Sequence, residues 1–361
     1  MTKREGAAPR AAAAADKESN ANFILGVLLT KARENPSPSP LSPPPWHHPA
    51  APTGLRVSFF VKCIRHARVM LANRACAVFG FASTRSIAWG IAEAWSAAGA
   101  SLTIGVQSER FLPALRAATS GWAAPPHVVV CDVASDADIE AAFLAIGAAH
   151  GGRLHAVAHS VAFAPSRAMR APLLDTARDD FLAAHSVSAF SLLALSRGAL
   201  PLLRAAGGGS VVALSYLGAA RAARNYRVMG AAKASLEACA RGLAVELAPE
   251  RVRVNVISPG PVNTLAARGI ESFTVRGRGR ADEEKRAAYL KSASRPSLPP
   301  TPTPPSPPVQ ELREATAARA PLGRDVTPRE VGEAATFLAS DGAAAITGQT
   351  LYVDGGYSAV A

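Results

Sequence analysis

The chain has 361 residues, of which 39 are Lys or Arg and 27 are Asp or Glu, for a net charge of +12. With 49% hydrophobic and 18% charged residues it is too apolar for a disordered chain, and its length suits one large α/β domain or two small ones. No uninterrupted apolar run reaches the roughly 18–20 residues of a membrane span, and none of Cys63, Cys76, Cys131 and Cys239 forms a Cys-x-x-Cys pair, which argues against a disulfide scaffold and a zinc centre.

The positive charge is unevenly spread. Residues 1–69 carry ten basic and four acidic groups, residues 274–309 carry seven and three, and the remaining 256 residues have a net charge of only +2. The same two segments hold 17 of the 28 prolines, so the excess charge belongs to flexible or processed chain rather than to a basic face, and a nucleic-acid partner is not expected. Residues 1–69 show neither helical nor strand periodicity. They read either as an organelle transit peptide or as sequence upstream of a true start at Met70, and Glu5, Asp16 and Glu18 count against the first reading. Import into a plastid or mitochondrion follows from the first reading, a cytoplasmic protein from the second.

From Ala75 onward the pattern becomes regular. Strands are predicted at Ala75–Phe79 (ending in Gly80), Ser101–Val106, His127–Cys131, Leu154–Ala158, Ser210–Leu214, Val252–Ile257 and Gln349–Val353. Helices are predicted at Ile87–Ala98, Asp136–Ala149, Phe181–Leu203, Val228–Leu247 and Pro328–Ala339. Apolar strands alternating with helices imply a single α/β domain built on a doubly wound parallel sheet, the Rossmann fold, within residues 70–361. Such sheets bind ligands beyond the carboxyl ends of their strands.

The first strand–helix junction runs from Gly80 through Ser86 and Ile87. A glycine there allows a tight turn, and free amides at the helix start hold a pyrophosphate. Only one glycine of a Gly-x-Gly-x-x-Gly fingerprint is present, so an ordinary turn explains this stretch equally well. At the end of the second strand, where a carboxylate favours NAD and an arginine favours NADP, stand Gln107, Glu109 and Arg110, an ambiguous set. Further along, Tyr226 and Lys233 are seven residues apart, so a continuous helix would place both on one face with Met229 between them. A tyrosine can donate a proton to an oxyanion, and a nearby ammonium favours the ionised phenol. The same spacing also arises on amphipathic helices with no joint chemical task.

Taken in order, these motifs resemble the enoyl-acyl-carrier-protein reductases of the short-chain dehydrogenase/reductase superfamily over residues 71–273 and 310–358. Tyr226 and Lys233 match the family's Tyr-x6-Lys, Tyr216 its second tyrosine, and Ser86-Ile87-Ala88-Trp89-Gly90 its nucleotide loop. Asp132-Val133, His159-Ser160 and Ser258-Pro259-Gly260-Pro261-Val262-Asn263-Thr264 match further family segments. The ordinary ketone-reducing members use Tyr-x3-Lys with a serine thirteen residues earlier, positions that here hold Met229 and Tyr216. Another reductase acting on ketoacyl or dienoyl thioesters, and a catalytically silent nucleotide-binding homologue, are the competing readings.

The resemblance implies reduction of trans-2-enoyl thioesters on acyl carrier protein in type-II fatty-acid synthesis, with NADH favoured and NADPH left open by Arg110. It implies Tyr226, Lys233 and Tyr216 as catalytic residues, and Ala164, Tyr216 and Met229 on the substrate. Cofactor contacts are implied for Gly80, Ser86, Ile87, Gln107, Asp132, Val133, Ser160, Ala162, Lys233, Val262 and Thr264, and a homotetramer for the assembly. Residues 274–309 interrupt the family-like sequence, either as an exposed insertion or as a translated intron.

Overall fold

Strand-forming runs that are apolar on both faces can be buried only between two layers of helices, and the computed structural model has that architecture. It describes residues 70–223, 225–262, 264 and 316–360. The extension 1–69 and the insertion 274–309 lie outside them, as does Asn263. Seven strands form one parallel sheet: β1 Ala75–Phe81, β2 Ser101–Val106, β3 His127–Val130, β4 Ala156–His159, β5 Gly209–Leu214, β6 Val252–Pro259 and β7 Thr350–Val353. Their spatial order is β3-β2-β1-β4-β5-β6-β7. The order reverses between β1 and β4, which is where a doubly wound sheet opens a ligand crevice.

Helices α1 (Ile87–Ala97) and α2 (Leu112–Thr119) cover one face of the sheet, together with a later helix at Pro328–Ala339. Their core contains Ile91, Trp95, Ile104, Leu115, Val331 and Leu338. The other face carries α3 (Asp136–Ala149), beyond which lie the short α4 (Ser166–Arg170) and the long α5 (Arg178–Ala205). Helix α6 (Val228–Glu246) completes that layer over Phe79, Phe143, Leu192 and Leu203. The helix Pro328–Ala339 is α7, and a last turn, α8, spans Tyr357–Val360. Helix α5 is long and apolar enough to cross a membrane by length and composition, but half of its most apolar stretch is buried inside the fold. It is a core helix of the α/β layer.

Several element boundaries follow from local chemistry. Ser135 caps α3 by accepting from Asp138 N at 3.2 Å. Thr327 and Glu330 form a reciprocal capping box ahead of α7, with Pro328 in its first turn. Helices α1 and α7 touch backbone to backbone, because a Cβ at Gly332 would lie 2.1 Å from Gly90 O. Gly90, which the sequence places in the nucleotide loop, therefore serves helix packing.

Three expectations are corrected. Strand β1 does not stop before Gly80 but continues to Phe81 through an irregularity in its pairing with β2. The predicted helix Phe181–Leu203 is longer, and it contains a π-helical turn at Ser186–Phe190. Finally, Tyr226 is not on the helix with Lys233. Arg227, at φ 48° and ψ −127°, breaks the backbone between Tyr226 and the first residue of α6.

Candidate active site

The carboxyl edge of the sheet collects nearly all the residues singled out by the sequence. At the end of β1, Gly80 adopts φ +108°, and a Cβ there would lie 2.2 Å from Ser160 O, so only glycine lets β1 and the β4 loop close together. Ser86 caps α1 by accepting from Trp89 N at 3.2 Å and donating to Ser83 O at 2.7 Å. The amides of Ile87 and Ala88, in the first turn of α1, have no acceptor within the helix and carry its positive end. A helix start of this kind is suited to holding a phosphate.

At the neighbouring strand ends, Gln107 Nε2 lies 3.5 Å from Asp132 Oδ2, and Arg110 donates to Gln107 Oε1 at 3.4 Å. The Arg110 guanidinium also lies over the Phe111 ring, 4.6 Å from its centroid. Asp132 accepts from Ala134 N at 3.0 Å, which holds the turn after β3. The Val133 side chain is buried in the core. Beyond β4, Ser160 donates its amide to Phe79 O at 3.0 Å, and Ala162 is exposed on the loop that follows. At the end of β6, Val262 is buried and its carbonyl accepts from Thr264 N at 2.8 Å.

The candidate catalytic residues lie between β5 and α6. The rings of Tyr216 and Tyr226 sit 4.7 Å apart at 57°. Ala164, Tyr216, Tyr226 and Met229 join one apolar cluster, to which the structure adds Ala168, Met169 and Ala223. Lys233 is only 4% exposed, and its Nζ donates to Leu214 O at 2.6 Å and approaches Val161 O at 3.4 Å. Gly218 is required here because a Cβ would lie 2.3 Å from Tyr226 Cδ1.

Charge states follow from burial. The Tyr226 phenol, 8% exposed, is held well above the usual tyrosine range by desolvation, with Tyr216 and Glu237 adding to the effect. This reverses the expectation that Lys233 favours the phenolate, and Tyr226 remains a neutral O–H donor. Desolvation likewise pushes Tyr216 up to about 12, with Tyr357 contributing. Burial pulls Lys233 down to about 8, opposed by Glu237. His159 is buried and drawn down to about 3 by desolvation and by Lys233, so it stays neutral and shares a 2.7 Å hydrogen bond with Ser191.

Three contributors went unseen in the sequence. Ser188, in the π turn of α5, accepts from Phe163 N at 3.0 Å and donates to Phe163 O at 2.9 Å, pinning the loop that carries Ala162 and Ala164. It also touches Met229 Sδ at 3.8 Å. Ser215 donates to Glu237 Oε1 at 2.6 Å. All three depend on contacts between distant elements. No local signal singled out Ser188 or Glu237, since both helices carry other polar residues.

Known proteins match this arrangement. The enoyl-(acyl carrier protein) reductase family model matches residues 80–292 and 298–358. The enoyl-acyl-carrier-protein reductase (NADH) of Bacillus subtilis is 38% identical over 288 residues, which cover 80% of this chain and 96% of that protein. The corresponding NADPH reductase of Staphylococcus aureus is 35% identical, with 80% and 98% covered. A Bacillus cereus enoyl-acyl carrier protein reductase, solved with NADP+ and indole naphthyridinone, superposes with a TM-score of 0.68 at 36% identity, covering 81% of this chain and 99% of that one. With this fold, this site and these matches across most of its length, the chain belongs to the enoyl-acyl-carrier-protein reductase family.

Proposed function

We propose that the protein reduces trans-2-enoyl thioesters carried on acyl carrier protein to saturated thioesters in type-II fatty-acid synthesis, using NADH. One observation carries the reading: the buried Tyr226, with Tyr216 packed against it, and the buried Lys233 stand at the carboxyl edge of the sheet, beside a helix start suited to a phosphate. The family match and the relatives' activities support it. The residues present fit a dinucleotide, since the start of α1 offers free amides beside the β4 loop that Gly80 lets close onto β1. Gly80, Ser86 and Ile87 would hold the pyrophosphate, Gln107, Asp132 and Val133 the adenosine, and Ser160, Ala162, Lys233, Val262 and Thr264 the nicotinamide half. Arg110 is engaged by Gln107 and Phe111, which favours NADH over its phosphorylated relative.

When bound, the dinucleotide would supply hydride to the β-carbon of the enoyl thioester, and the resulting enolate would take a proton from solvent at its α-carbon to give the saturated thioester. Tyr226, neutral and buried, donates a hydrogen bond to the thioester oxygen as negative charge gathers there. Such oxyanion donors contribute about 3 kcal/mol to the rate. Lys233 grips the ribose hydroxyls and sets which face of the ring meets substrate. Tyr216, Ala164 and Met229 wall the acyl chain. Tyr216 packs at a tilt against Tyr226.

NADH oxidation with crotonyl and acetoacetyl thioesters in parallel tests the reading. Turnover of crotonyl thioester that falls by about 10²-fold in Tyr226→Phe, with little on acetoacetyl thioester, is expected. A protein that binds NADH yet turns over neither substrate overturns it in favour of a silent homologue.

The assembly is proposed as a homotetramer. In support, the edge strand β7 exposes Leu351 and Tyr352, and Leu144 and Val245 lie bare on α3 and α6. Light scattering reads the mass. Residues 274–309 are proposed as foreign to the working enzyme, and peptides crossing Phe273–Gln310 directly in native protein support this, whereas peptides from within the segment refute it. Residues 1–69 decide the compartment: import into a plastid or mitochondrion if they act as a transit peptide, and the cytoplasm if they do not. Fluorescent fusions with and without them distinguish the two.

A further inference from the structure

Three consecutive residues at the end of β5 each engage a partner on or beside α6. Leu214 O accepts from Lys233 Nζ at 2.6 Å, Ser215 Oγ donates to Glu237 Oε1 at 2.6 Å, and the Tyr216 ring packs on Tyr226. The first and third contacts involve residues to which the proposed function gives a role. The second does not, yet it lies between them and Ser215 is buried.

Glu237 is four residues beyond Lys233 on α6, one helical turn away on the same face. Lys233 is a charged donor in a site that otherwise offers it only neutral acceptors, the carbonyls of Leu214 and Val161. The titratable groups facing it from other elements supply no negative charge. From β4 comes His159, neutral in its bond to Ser191. From the end of β5 comes Tyr216, and from the turn before α6 comes Tyr226, both kept protonated by burial. The π turn of α5 adds only hydroxyls, Ser188 and Ser191. Among the described residues, Glu237 is the carboxylate that acts on the Lys233 charge.

We propose that Glu237 is the positioning residue for Lys233: fixed by Ser215, its carboxylate keeps the lysine an ammonium inside an apolar site, and so keeps it able to grip the ribose of the dinucleotide. The inference rests on the proposed function in assigning that grip to Lys233. It gives the Ser215–Glu237 bond a task in the pH range where the enzyme binds NADH. Burial draws the lysine down to about 8 even with Glu237 present, and the carboxylate is what opposes a further fall.

NADH affinity of the full chain, read by nucleotide fluorescence from pH 6 to 9.5, tests the proposal without depending on turnover. Glu237→Gln keeps the acceptor for Ser215 and removes only the charge. Its binding is expected within about twofold of wild type at pH 6.5, but the pH at which affinity is lost moves down by about one unit, an approximately tenfold weakening above the new midpoint. Ser215→Ala leaves the carboxylate free to turn to solvent and shifts the midpoint the same way by a smaller amount. If Glu237→Gln does not fold, that serine variant carries the test. A uniform loss of affinity at every pH, or an unmoved midpoint in either folded variant, overturns the proposal and leaves the pair a structural contact. Failure of the proposed function looks different: wild type would show the midpoint and still not reduce crotonyl thioester.

Discussion

Replacing Gly218 by alanine should remove most of the activity while leaving the fold and cofactor binding largely intact. The new Cβ would lie 2.3 Å from Tyr226 Cδ1 and 2.9 Å from Cε1. Carbon atoms in contact sit about 3.5–4.0 Å apart, so the ring must retreat by roughly 1.2 Å or more. It has little room to do so. Tyr216 packs on it with ring centroids 4.7 Å apart, Met229 and Val228 share its cluster, and Asn225 and Arg227 on either side already hold left-handed backbone. Overpacking of this kind costs about 1–3 kcal/mol of stability. The larger effect is on chemistry, because a misplacement of about 1 Å in a reacting geometry costs on the order of 10²-fold in rate. Steady-state kcat on crotonyl thioester, NADH affinity and the melting temperature should be measured together. The expected pattern is a kcat lowered by about 10²-fold, NADH affinity within about twofold and a modest fall in Tm. In a Tyr226→Phe background the same change should add little, since the hydroxyl it displaces is already gone. A kcat within twofold of wild type in Gly218→Ala refutes the argument that Tyr226 is held in place by this contact.

Ser188→Ala should lower stability by about 1–3 kcal/mol, since it strips both polar backbone groups of Phe163 of their partner, and Ser188→Thr should recover part of it; urea unfolding reads both. Gly332→Ala should cost a similar amount by forcing α1 and α7 apart at Gly90, seen as a lower Tm with unchanged NADH affinity. His159 has a folded-state pKa of about 3 against 6.5 for an open histidine, so the unfolded chain takes up a proton that the native chain refuses. Its contribution is therefore fully present above pH 6.5 and lost as pH falls toward 3, amounting to about 2 kcal/mol by pH 5. Urea unfolding at pH 7 and pH 5 should show His159→Gln losing less stability between the two than wild type.

The elements that the sequence located well are those with a sharp chemical start. Helix α7 begins at Pro328 behind a Thr327–Glu330 box, α3 begins behind Ser135, and β2 is a run of alternating small and branched residues bounded by Gly99 and Gln107. Helix α2 was missed because it is only eight residues long and carries Pro113 in its first turn. The π turn in α5 leaves no trace in composition, since one extra residue per turn inside an apolar run does not disturb the count of apolar positions. The Tyr226–Lys233 pair was legible as a motif but not as geometry. The sevenfold spacing suggested one continuous helix, whereas the left-handed Arg227 sets Tyr226 ahead of α6. The Arg227 side chain reaches back to the carbonyls of Arg170 and Ala171, a tertiary tie that spacing cannot reveal. Ser215 and Glu237 are 22 residues apart and meet only because β5 and α6 pack together.

The parallel sheet explains why these pieces converge. Each strand must be followed by a crossover, so each carboxyl end becomes a place where the chain leaves the core and can present polar groups without burying them unpaired. Gly80 leaves β1, Gln107 leaves β2, Asp132 leaves β3, Ser160 leaves β4 and Ser215 leaves β5, all along one edge. Strand β5 differs from the others because its last residues turn back onto α6 instead of facing the crevice alone. Its carbonyl holds Lys233, its serine holds Glu237 and its tyrosine holds Tyr226, so three successive backbone positions fix the charge, its counter-charge and the proton donor. A slip of one residue in the pairing of β5 with β6 would turn Ser215 to the opposite face and separate all three contacts at once. Under the proposed function, register in this sheet would therefore matter to the reaction, through the apolar residues that lock it, Val211 and Ala213 on one face and Val212 and Leu214 on the other.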